Sequence, residues 1–457
     1  MDRAKAAFYW NTLTRLPEII RFRRNPYAPL AELQEIQLRL LKRRLLHAWE
    51  LNPLYRQRME AVNLEKGYIQ QMTALGDLRR FPIITKGDLS GPFDQVISRG
   101  YRIDSLIKSN TAGSTGRPLI FYVDHNERFK RRYVGVRNNL NITGCQSDDV
   151  HVLLSHYEPL EKDEDFHVYK TKLINRLLFD IPHRVVQISP YRDMHFRREL
   201  LEKLQPDGIQ ASIWDLYSLA QSIKKSGGAS KIKPRLAIFG MGWMPDYMLG
   251  EIQEILKTEI RGVYGSREFG DFAAQCQYKR YHCSIDAVVI EAVDEQGEPV
   301  PPGTVGRLLI TDLYNFATPF IRYENGDMGT ALSTEECECG LTLPVLPRLE
   351  GRIADFIINR DGDRVVPSFF WNEWRQEVGL EEAQLIQSDV GHLKLNLVVN
   401  QRFNEDISLP RLRSIYTQKM GDIEIDFAFV SELEREPSGK LRMVKSDLAK
   451  SYLPHDR

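Results

Sequence analysis

The sequence lacks the features that mark membrane-spanning and nucleic-acid-binding proteins. No apolar run approaches the roughly 20 residues that a membrane-spanning helix needs, and the N-terminus lacks the long apolar core of a signal peptide. Lys plus Arg and Asp plus Glu each number 62, so the formal net charge is zero. A general nucleic-acid binder usually carries a basic surplus. We therefore expect no transmembrane segment and no nucleic-acid partner.

Cysteine is also scarce. Five cysteines among 457 residues are a low and odd number, which does not fit a disulfide framework and favours a cytoplasmic protein. The hydrophobic content of 42% and the charged content of 27% are those of an ordinary globular protein. The chain is long enough for two or three domains with a large core.

The first 25 residues are basic and partly amphipathic, with apolar side chains such as Trp10, Leu16 and Ile20 set among arginines. This pattern favours a helix that packs on the body of the protein. Docking of the same segment on a membrane surface is the alternative.

Short apolar runs alternate with helical segments between about residues 150 and 330. The runs are Val150–Leu154, Arg184–Ile188, Leu236–Phe239, Val288–Ala292 and Leu308–Thr311. This alternation predicts α/β architecture with largely parallel sheets. The tail alternates shorter strands and helices. We predict a large N-terminal multi-subdomain α/β region, residues 1–350, with β-sheets flanked by helices, and a small α+β C-terminal lid domain, residues 351–457.

A loop rich in small and hydroxylated residues, Thr111–Pro118, lies between two apolar runs. A strand–loop–strand turn of this composition can bring backbone N–H groups and hydroxyls close to an anion. Glycine lets the backbone approach a phosphate where a Cβ would clash. The loop is not a Walker A motif, because no Gly-Lys-Ser/Thr ends it.

Four more segments follow this loop in a fixed order. They are Tyr264–Glu268, Ile321–Asp327, Gly351–Asp355 and Pro437–Arg442. Together the five segments resemble those of the adenylate-forming (acyl/aryl-CoA ligase) superfamily. Within it the chain most resembles the phenylacetate–CoA ligase-like branch, including relatives from capsular-polysaccharide clusters. The resemblance covers most of the chain, including the early segment Phe81–Leu89.

The resemblance implies a reaction as well as a fold. A small-molecule carboxylic acid would be activated by ATP and Mg²⁺ to an acyl-adenylate with release of pyrophosphate. The acyl group would then pass to CoA, giving a thioester and AMP. Transfer to an amine or a carrier protein is one alternative, and a non-catalytic scaffold that retains the fold is another. Whether the protein forms a homodimer is left open.

The resemblance also assigns the phosphate-binding residues. It places the β- and γ-phosphates of ATP at the loop from Gly113 to Gly116, with Ser114 and Thr115 as hydroxyl contacts and Thr111 at the start of the loop. The family often has a lysine just after the loop proline. Leu119 occupies that place here, so the loop has one cation fewer.

Three further nucleotide contacts come from the middle motifs. An aromatic face at a strand end can stack on a purine, and the resemblance gives this role to Tyr264, beside Gly265 and Ser266. Glu268 is a hard oxygen ligand of the kind that Mg²⁺ prefers, and the resemblance makes it the ligand of the ATP-bound ion. A carboxylate can accept two hydrogen bonds from a ribose diol, the role implied for Asp327.

The late motifs carry the remaining catalytic residues. A lysine on a glycine turn of a mobile domain can reach into a site, and its point charge suits both a carboxylate and an α-phosphate, so Lys440 is the predicted catalytic lysine. Arg352 is favoured over Arg322 for a further nucleotide contact and counts with Lys440 and Glu268 as catalytic. The family hinge is usually an acidic residue two places after Gly-Arg. Ala354 stands there, followed by Asp355, which puts the CoA step in doubt.

Four residues between 276 and 339 suit a structural zinc ion: Cys276, His282, Cys337 and Cys339. A Cys₃His set can be tetrahedral, with two ligands from each of two hairpins. Cys283 is a competing thiol, and five thiols without a metal are the alternative.

Six large apolar residues have two interpretations. They could line an acid-binding pocket, which would suit an aromatic or other hydrophobic acid, or they could equally belong to the core. They are Trp214, Tyr217, Phe239, Met241, Trp243 and Phe269.

Overall fold

The structure is a computed structural model of the chain. It describes residues 15–111, 119–154, 164–170, 181–189, 192–228, 230–240, 246–352, 357–362, 364–365, 370, 373–374, 376–434, 443–446 and 448.

Ten α-helices are present in the described residues. They are α1 (Leu16–Arg24), α2 (Leu30–Leu51), α3 (Pro53–Ala61), α4 (Lys66–Gln71), α5 (Phe93–Val96), α6 (His125–Val136), α7 (Met194–Leu204), α8 (Ile213–Lys225), α9 (Asp246–Leu256) and α10 (Glu405–Met420). A π-helical turn, Arg137–Ile142, continues α6. Asn52 separates α2 from α3, because its side chain accepts the Tyr55 N–H and caps the second helix. Helix α1 packs on the body through Ile19 and Phe22, as predicted for this part of the N-terminal segment, whereas Trp10 lies outside the described residues.

The largest sheet has nine strands in the order β14-β10-β9-β8-β7-β6-β3-β5-β4. Its strands are β3 (Val150–Leu154), β4 (Phe166–Lys170), β5 (Arg184–Ile188), β6 (Gly208–Ser212), β7 (Leu236–Gly240), β8 (Glu259–Ser266), β9 (Gly270–Gln275), β10 (Tyr281–Cys283) and β14 (Val345–Leu346). The central strands, from β8 to β5 in this order, pair in parallel, and the outer ones are antiparallel. The central strands are buried on both faces, which explains their nearly continuous apolar runs.

A second sheet is antiparallel throughout. Its order is β11-β12-β13-β15, with β11 (Val288–Val293), β12 (Val305–Asp312), β13 (Tyr323–Thr330) and β15 (Leu349–Arg352). The prediction of largely parallel sheets is therefore wrong for this part of the chain. Short connections join β11 to β12 and β12 to β13, and short connections allow only antiparallel neighbours.

A third sheet lies in the C-terminal part, in the order β20-β19-β18-β21. Its strands are β18 (Leu380–Asp389), β19 (His392–Val399), β20 (Glu424–Phe429) and β21 (Val444–Ser446), and a small hairpin of β16 (Ile357–Ile358) and β17 (Arg364–Val365) lies nearby in sequence. Helix α10 connects β19 to β20, which pair in parallel. This is the α+β arrangement that the alternating pattern predicts. The boundary between residues 1–350 and 351–457 stays a prediction.

The structure contains no helix, among the residues it describes, that is long and apolar enough to cross a membrane.

Candidate functional site

The phosphate-loop segment lies in a β-hairpin. Strands β1 (Ile107–Asn110) and β2 (Ile120–Val123) pair in antiparallel register on its two sides. Thr111 closes the base: its N–H donates to the Leu119 carbonyl at 3.0 Å, and its Oγ1 accepts the Leu119 N–H at 3.0 Å. Thr111 therefore serves the backbone of the hairpin. Leu119 is buried, which explains an apolar residue where a family lysine is common.

Two predicted nucleotide residues, 63 positions apart, meet directly. The Tyr264 hydroxyl, at the end of β8, donates to Asp327 Oδ2 on β13 at 2.8 Å. Asn325 Nδ2 also donates to Asp327 Oδ2, at 2.7 Å, and to the Tyr264 oxygen at 3.1 Å. Burial and the neighbouring Asp327 raise the pKa of Tyr264 well above its usual value, so the phenol stays protonated as a donor.

The ring of Tyr264 has little open surface. Its side chain is 7% exposed and its ring meets Phe272 edge to face at 4.8 Å between centroids. Stacking on adenine needs an accessible ring face. The bonded pair of Tyr264 and Asp327 is a structural fact, whereas the stacking role stays a prediction.

Glu268 lies just beyond β8 and is 8% exposed. Among the described side chains its hydrogen-bond donor is Tyr323, whose hydroxyl lies 3.4 Å from Oε1, and no Lys or Arg of these pairs with it. A buried carboxylate needs a cation or strong donors. The Glu268 carboxylate therefore suits the binding of an ion such as Mg²⁺. The nearby Ser266 Oγ is also buried, and it has no described hydrogen-bond partner.

The turn that carries Glu268 is held from behind by Arg131 of α6. Its Nη1 donates to the Arg267 carbonyl at 3.1 Å, and its Nη2 donates to Asp312 at 3.1 Å. Its Nε pairs with the fully buried Glu127. This brace, Asn325 and Tyr323 were not foreseen. Asn325 and Tyr323 both lie in the segment Ile321–Asp327, which was the available signal for them, whereas Arg131 lies in none of the motifs.

The two arginines that were compared for a nucleotide contact have different positions. Arg322 is 3% exposed and donates to the carbonyls of Phe81 at 2.7 Å and Gly297 at 3.0 Å. It also pairs with Glu291. These hydrogen bonds connect the segment Phe81–Leu89 to the start of β13, so Arg322 has a structural role. Arg352 pairs with Asp327 across β13 and β15, so its backbone lies beside the candidate ribose site.

The four predicted zinc ligands form one cluster, with all ligand atoms within 4.8 Å of one another. Cys276 Sγ lies 3.8 Å from Cys337 Sγ, and Cys339 Sγ lies 3.2 Å from His282 Nε2. Tetrahedral zinc with Zn–S bonds of about 2.3 Å separates two sulfurs by about 3.8 Å. His282 Nδ1 lies 2.8 Å from the Leu343 carbonyl. That bond orients the ring and leaves Nε2 for a metal.

The chemistry of this cluster also suits a metal. Burial lowers the pKa of His282, which favours the neutral imidazole that a ligand requires. Cys283 is not part of the cluster, because adjacent residues of a strand point to opposite faces and His282 is the one that faces the cluster. Arg280 Nη1 donates to the Glu336 carbonyl at 3.1 Å and joins the two ligand-bearing loops.

Several predicted site residues lie outside the described residues. They are Gly113, Ser114, Thr115, Gly116, Ala354, Asp355 and Lys440, together with Met241 and Trp243 of the candidate acid pocket. The other four pocket candidates are buried in the core: Trp214, Tyr217, Phe239 and Phe269. The core interpretation is therefore the one that these four support.

The sequence is also similar to those of known proteins. The CapK C-terminal domain family matches residues 357–447. Protein CapK of Staphylococcus aureus is 22% identical over 394 residues, 82% of this chain and 81% of that protein. The phenylacetate–coenzyme A ligase of Escherichia coli (strain K12) is 27% identical over 351 residues, 75% of this chain and 76% of the ligase. The chain is therefore similar, over most of its length, to the phenylacetate–CoA ligases and to CapK.

A solved structure supports the same assignment at the level of the fold. A 2-hydroxyisobutyryl-CoA ligase in the postadenylation state, in complex with R3-HIB-AMP, aligns with a TM-score of 0.73 at 19% identity. The alignment covers 93% of this chain and 91% of that chain. The same ligase in the thioesterification state aligns with a TM-score of 0.60 at 19% identity.

Three predictions are thereby confirmed. They are the resemblance to the adenylate-forming superfamily in its phenylacetate–CoA ligase-like branch, the α/β fold class, and the enzyme class of an AMP-forming ligase of the acid–CoA type.

Proposed function

We propose that this protein activates a carboxylic acid with ATP and Mg²⁺ and transfers the acyl group to CoA. The observation that carries the proposal is the convergence of the middle motifs. Tyr264 bonds Asp327, Arg352 lies opposite Asp327 in the sheet, and Glu268 is a buried carboxylate that no described cation balances. Such a set suits a nucleotide with its metal ion, and the related ligases supply the reaction class.

The chemistry requires two anions to meet. A carboxylate oxygen attacks the α-phosphorus of ATP, the bond to pyrophosphate breaks, and an acyl-adenylate forms. The thiol of CoA then attacks the acyl carbonyl and AMP leaves. In this scheme Asp327 holds the ribose, and Glu268 would hold the Mg²⁺ that offsets the phosphate charge. Lys440 acts in the first step from the C-terminal lid, residues 351–457.

Pyrophosphate exchange tests this function. The protein would be incubated with radiolabelled pyrophosphate, ATP, Mg²⁺ and a panel of carboxylic acids, then with CoA, hydroxylamine or a carrier protein as acceptor. We expect acid-dependent exchange and CoA-dependent AMP release. Exchange without use of CoA would support an amine or carrier acceptor, in line with Ala354 at the hinge position. No exchange with any acid would support a scaffold.

Removal of the Tyr264 hydroxyl tests the ribose site. Tyr264→Phe leaves Asp327 with one described side-chain donor fewer, so we expect the KM for ATP to rise about tenfold with little change in kcat. The free energy of unfolding should fall by about 1–2 kcal/mol. Tyr68→Phe is the matched control, because it removes the hydroxyl of a tyrosine from another part of the chain, which donates to the Asp77 carbonyl. An unchanged KM in Tyr264→Phe would contradict the assignment.

We also propose that the Cys/His cluster holds one structural Zn²⁺. It ties the turn after β9 to the loop before β14, near the base of β8. The five cysteines are free. Two of them lie outside the cluster: burial raises the pKa of the Cys145 thiol, and it raises the pKa of the Cys283 thiol to about 12. The free thiols support the proposal of a cytoplasmic location.

Elemental analysis decides the zinc proposal. Protein purified without chelator should contain one zinc per chain, and Cys276→Ser should lose most of it and melt at a lower temperature. Cys283→Ala should keep the zinc, because this thiol lies outside the cluster. Metal-free wild-type protein of unchanged stability would remove the zinc site.

A further inference from the structure

A chain of polar side chains lies beside the candidate nucleotide site. Gln210 Nε2 donates to Asn139 Oδ1 at 2.7 Å, and Asn139 Nδ2 donates to Asp271 Oδ2 at 2.6 Å. Asn139 Nδ2 also donates to the Gly135 carbonyl at 2.9 Å. All three residues are half-buried, so each keeps some exposed surface. The hydrogen bonds run in one direction and end at the carboxylate.

This carboxylate lies directly over the Tyr-Gly-Ser motif. Asp271 pairs with Gly265 in the β8–β9 register. A Cβ on Gly265 would lie 2.4 Å from the Gly270 carbonyl oxygen and 2.6 Å from both Cα and Oδ1 of Asp271, so only glycine fits against this backbone and carboxylate. The Ser266 hydroxyl, buried without a described partner, follows in the same motif. Asp271 is therefore next to residues that the family resemblance assigns to the nucleotide.

The fold places the group at the edge of the sheet where ligands of α/β proteins bind. Ser266 is the last residue of β8, and Gln210 lies two residues before the end of β6, one of the parallel strands. Open α/β sheets bind ligands in the crevice outside those ends. Asn139 belongs to the π-helical turn, a local distortion that often occurs at functional sites.

The carboxylate has unused capacity. In the part of the chain that the structure describes, Asn139 alone donates a side-chain hydrogen bond to Asp271, and it does so at Oδ2. A carboxylate has about four acceptor positions on its two oxygens. Burial raises the pKa of Asp271, and the hydrogen bond from Asn139 offsets this rise only in part. A ligand that offers a hydroxyl or an ammonium group would supply the missing donor.

We propose that Asp271 recognises a hydrogen-bond donor on the acid, so that the substrate is a hydroxy- or amino-substituted carboxylic acid. This inference rests on the proposed function and names the substrate class of the same site. It replaces the earlier expectation of an aromatic or other hydrophobic acid, since four of the six apolar residues weighed for that pocket lie in the core. An acid without a donor would leave the carboxylate desolvated and unpaired.

Matched acids test the proposal in the wild-type protein. Pyrophosphate release would be compared within sets of one skeleton: butyrate with its hydroxy and amino derivatives, and benzoate and phenylacetate with theirs at each ring position. We expect the best substituted acid to exceed its parent by about 10²-fold or more in kcat/KM, because sites built around a polar partner reject analogues that lack it. The hydroxyl and ammonium members distinguish the two donors.

Variants test the role of Asp271 itself. Asp271→Ala and the nearly isosteric Asp271→Asn should reduce kcat/KM for the preferred acid by about 10²-fold and remove its advantage over the parent acid. Asn139→Ala tests the positioning role, because it breaks the hydrogen bond to Asp271 and leaves the carboxylate. It should weaken the preference less than Asp271→Asn does. Melting temperature and the KM for ATP show whether each variant is folded.

The outcomes separate the two claims. Wild-type protein that activates unsubstituted parents as well as their derivatives, or an Asp271→Asn variant that keeps the full preference, would overturn the inference while the ligase function stands. Wild-type protein that activates no acid in the panel would overturn the proposed function and this inference with it.

Discussion

Replacing Lys440 with alanine is expected to reduce acyl-adenylate formation by about 10²–10³-fold. The physical reason is that the lysine is needed when the carboxylate meets the α-phosphate. At that point two anions are brought together and charge develops on the phosphate. Loss of one preorganised group that stabilises such charge commonly costs this much in rate, as for an oxyanion donor. Pyrophosphate exchange with the best acid gives the measurement.

The second half-reaction gives an internal comparison. If the small domain rotates between the two steps, Lys440→Ala should still convert a supplied acyl-adenylate and CoA to the thioester at close to the wild-type rate. Lys445→Ala is the matched control, because this lysine lies five residues on and pairs with Glu434 on the surface. Near-normal adenylation by Lys440→Ala, or equal loss in Lys445→Ala, would contradict the assignment.

The strands of the parallel sheet were predictable because a buried strand requires a run of apolar residues, which is visible in the sequence. The run Val150–Leu154 is a strand with the predicted bounds, and Leu236–Phe239 differs by one residue. Each is a central strand covered on both faces. The antiparallel sheet was missed because the run at Leu308–Thr311 looks the same whichever way its neighbour is oriented. Pairing direction depends on the connections, and the turn near Gly297 was the available signal.

The site was predictable only where a motif carried it. Tyr264 and Asp327 were named separately, and nothing in the spacing of 63 residues showed that one would bond the other. Arg322 looked equivalent to Arg352 as a candidate, yet its burial among the Phe81 and Gly297 carbonyls makes it a brace. Such contacts join distant parts of the chain, so they follow from tertiary packing rather than from local pattern.

Asp271 shows the same limit for specificity. It follows Glu268 by only three positions, but in sequence it is one more acidic residue in a strand. Its meaning comes from three things that the fold brings together: the π-helical turn with Asn139, the close approach to Gly265 and the end of β6. Acid pockets are composed of side chains from several elements, and for this reason the hydrophobic interpretation of the pocket could not be tested on the sequence alone.

Replacing Glu268 with alanine is expected to lower Mg-ATP-dependent activity by about 10²-fold or more. A metal ion that offsets charge on a transferring phosphoryl group contributes several kcal/mol to the transition state, and each 1.4 kcal/mol is a factor of ten in rate. Glu268 is the buried carboxylate at this site without a described cationic partner, so its charge has no other evident use. The activity should be measured over a range of Mg²⁺ concentrations at fixed ATP.

Glu268→Gln separates the charge from the shape. The amide fills the same space and can still accept a hydrogen bond from Tyr323, so a packing role would be preserved. A metal role predicts that Glu268→Gln is impaired nearly as much as Glu268→Ala and needs more Mg²⁺ for half-maximal activity. Tyr323→Phe removes only the hydroxyl and should cost much less. Wild-type Mg²⁺ dependence in Glu268→Gln would show that the carboxylate does not bind the ion. Glu268 would then have only a packing role in the turn.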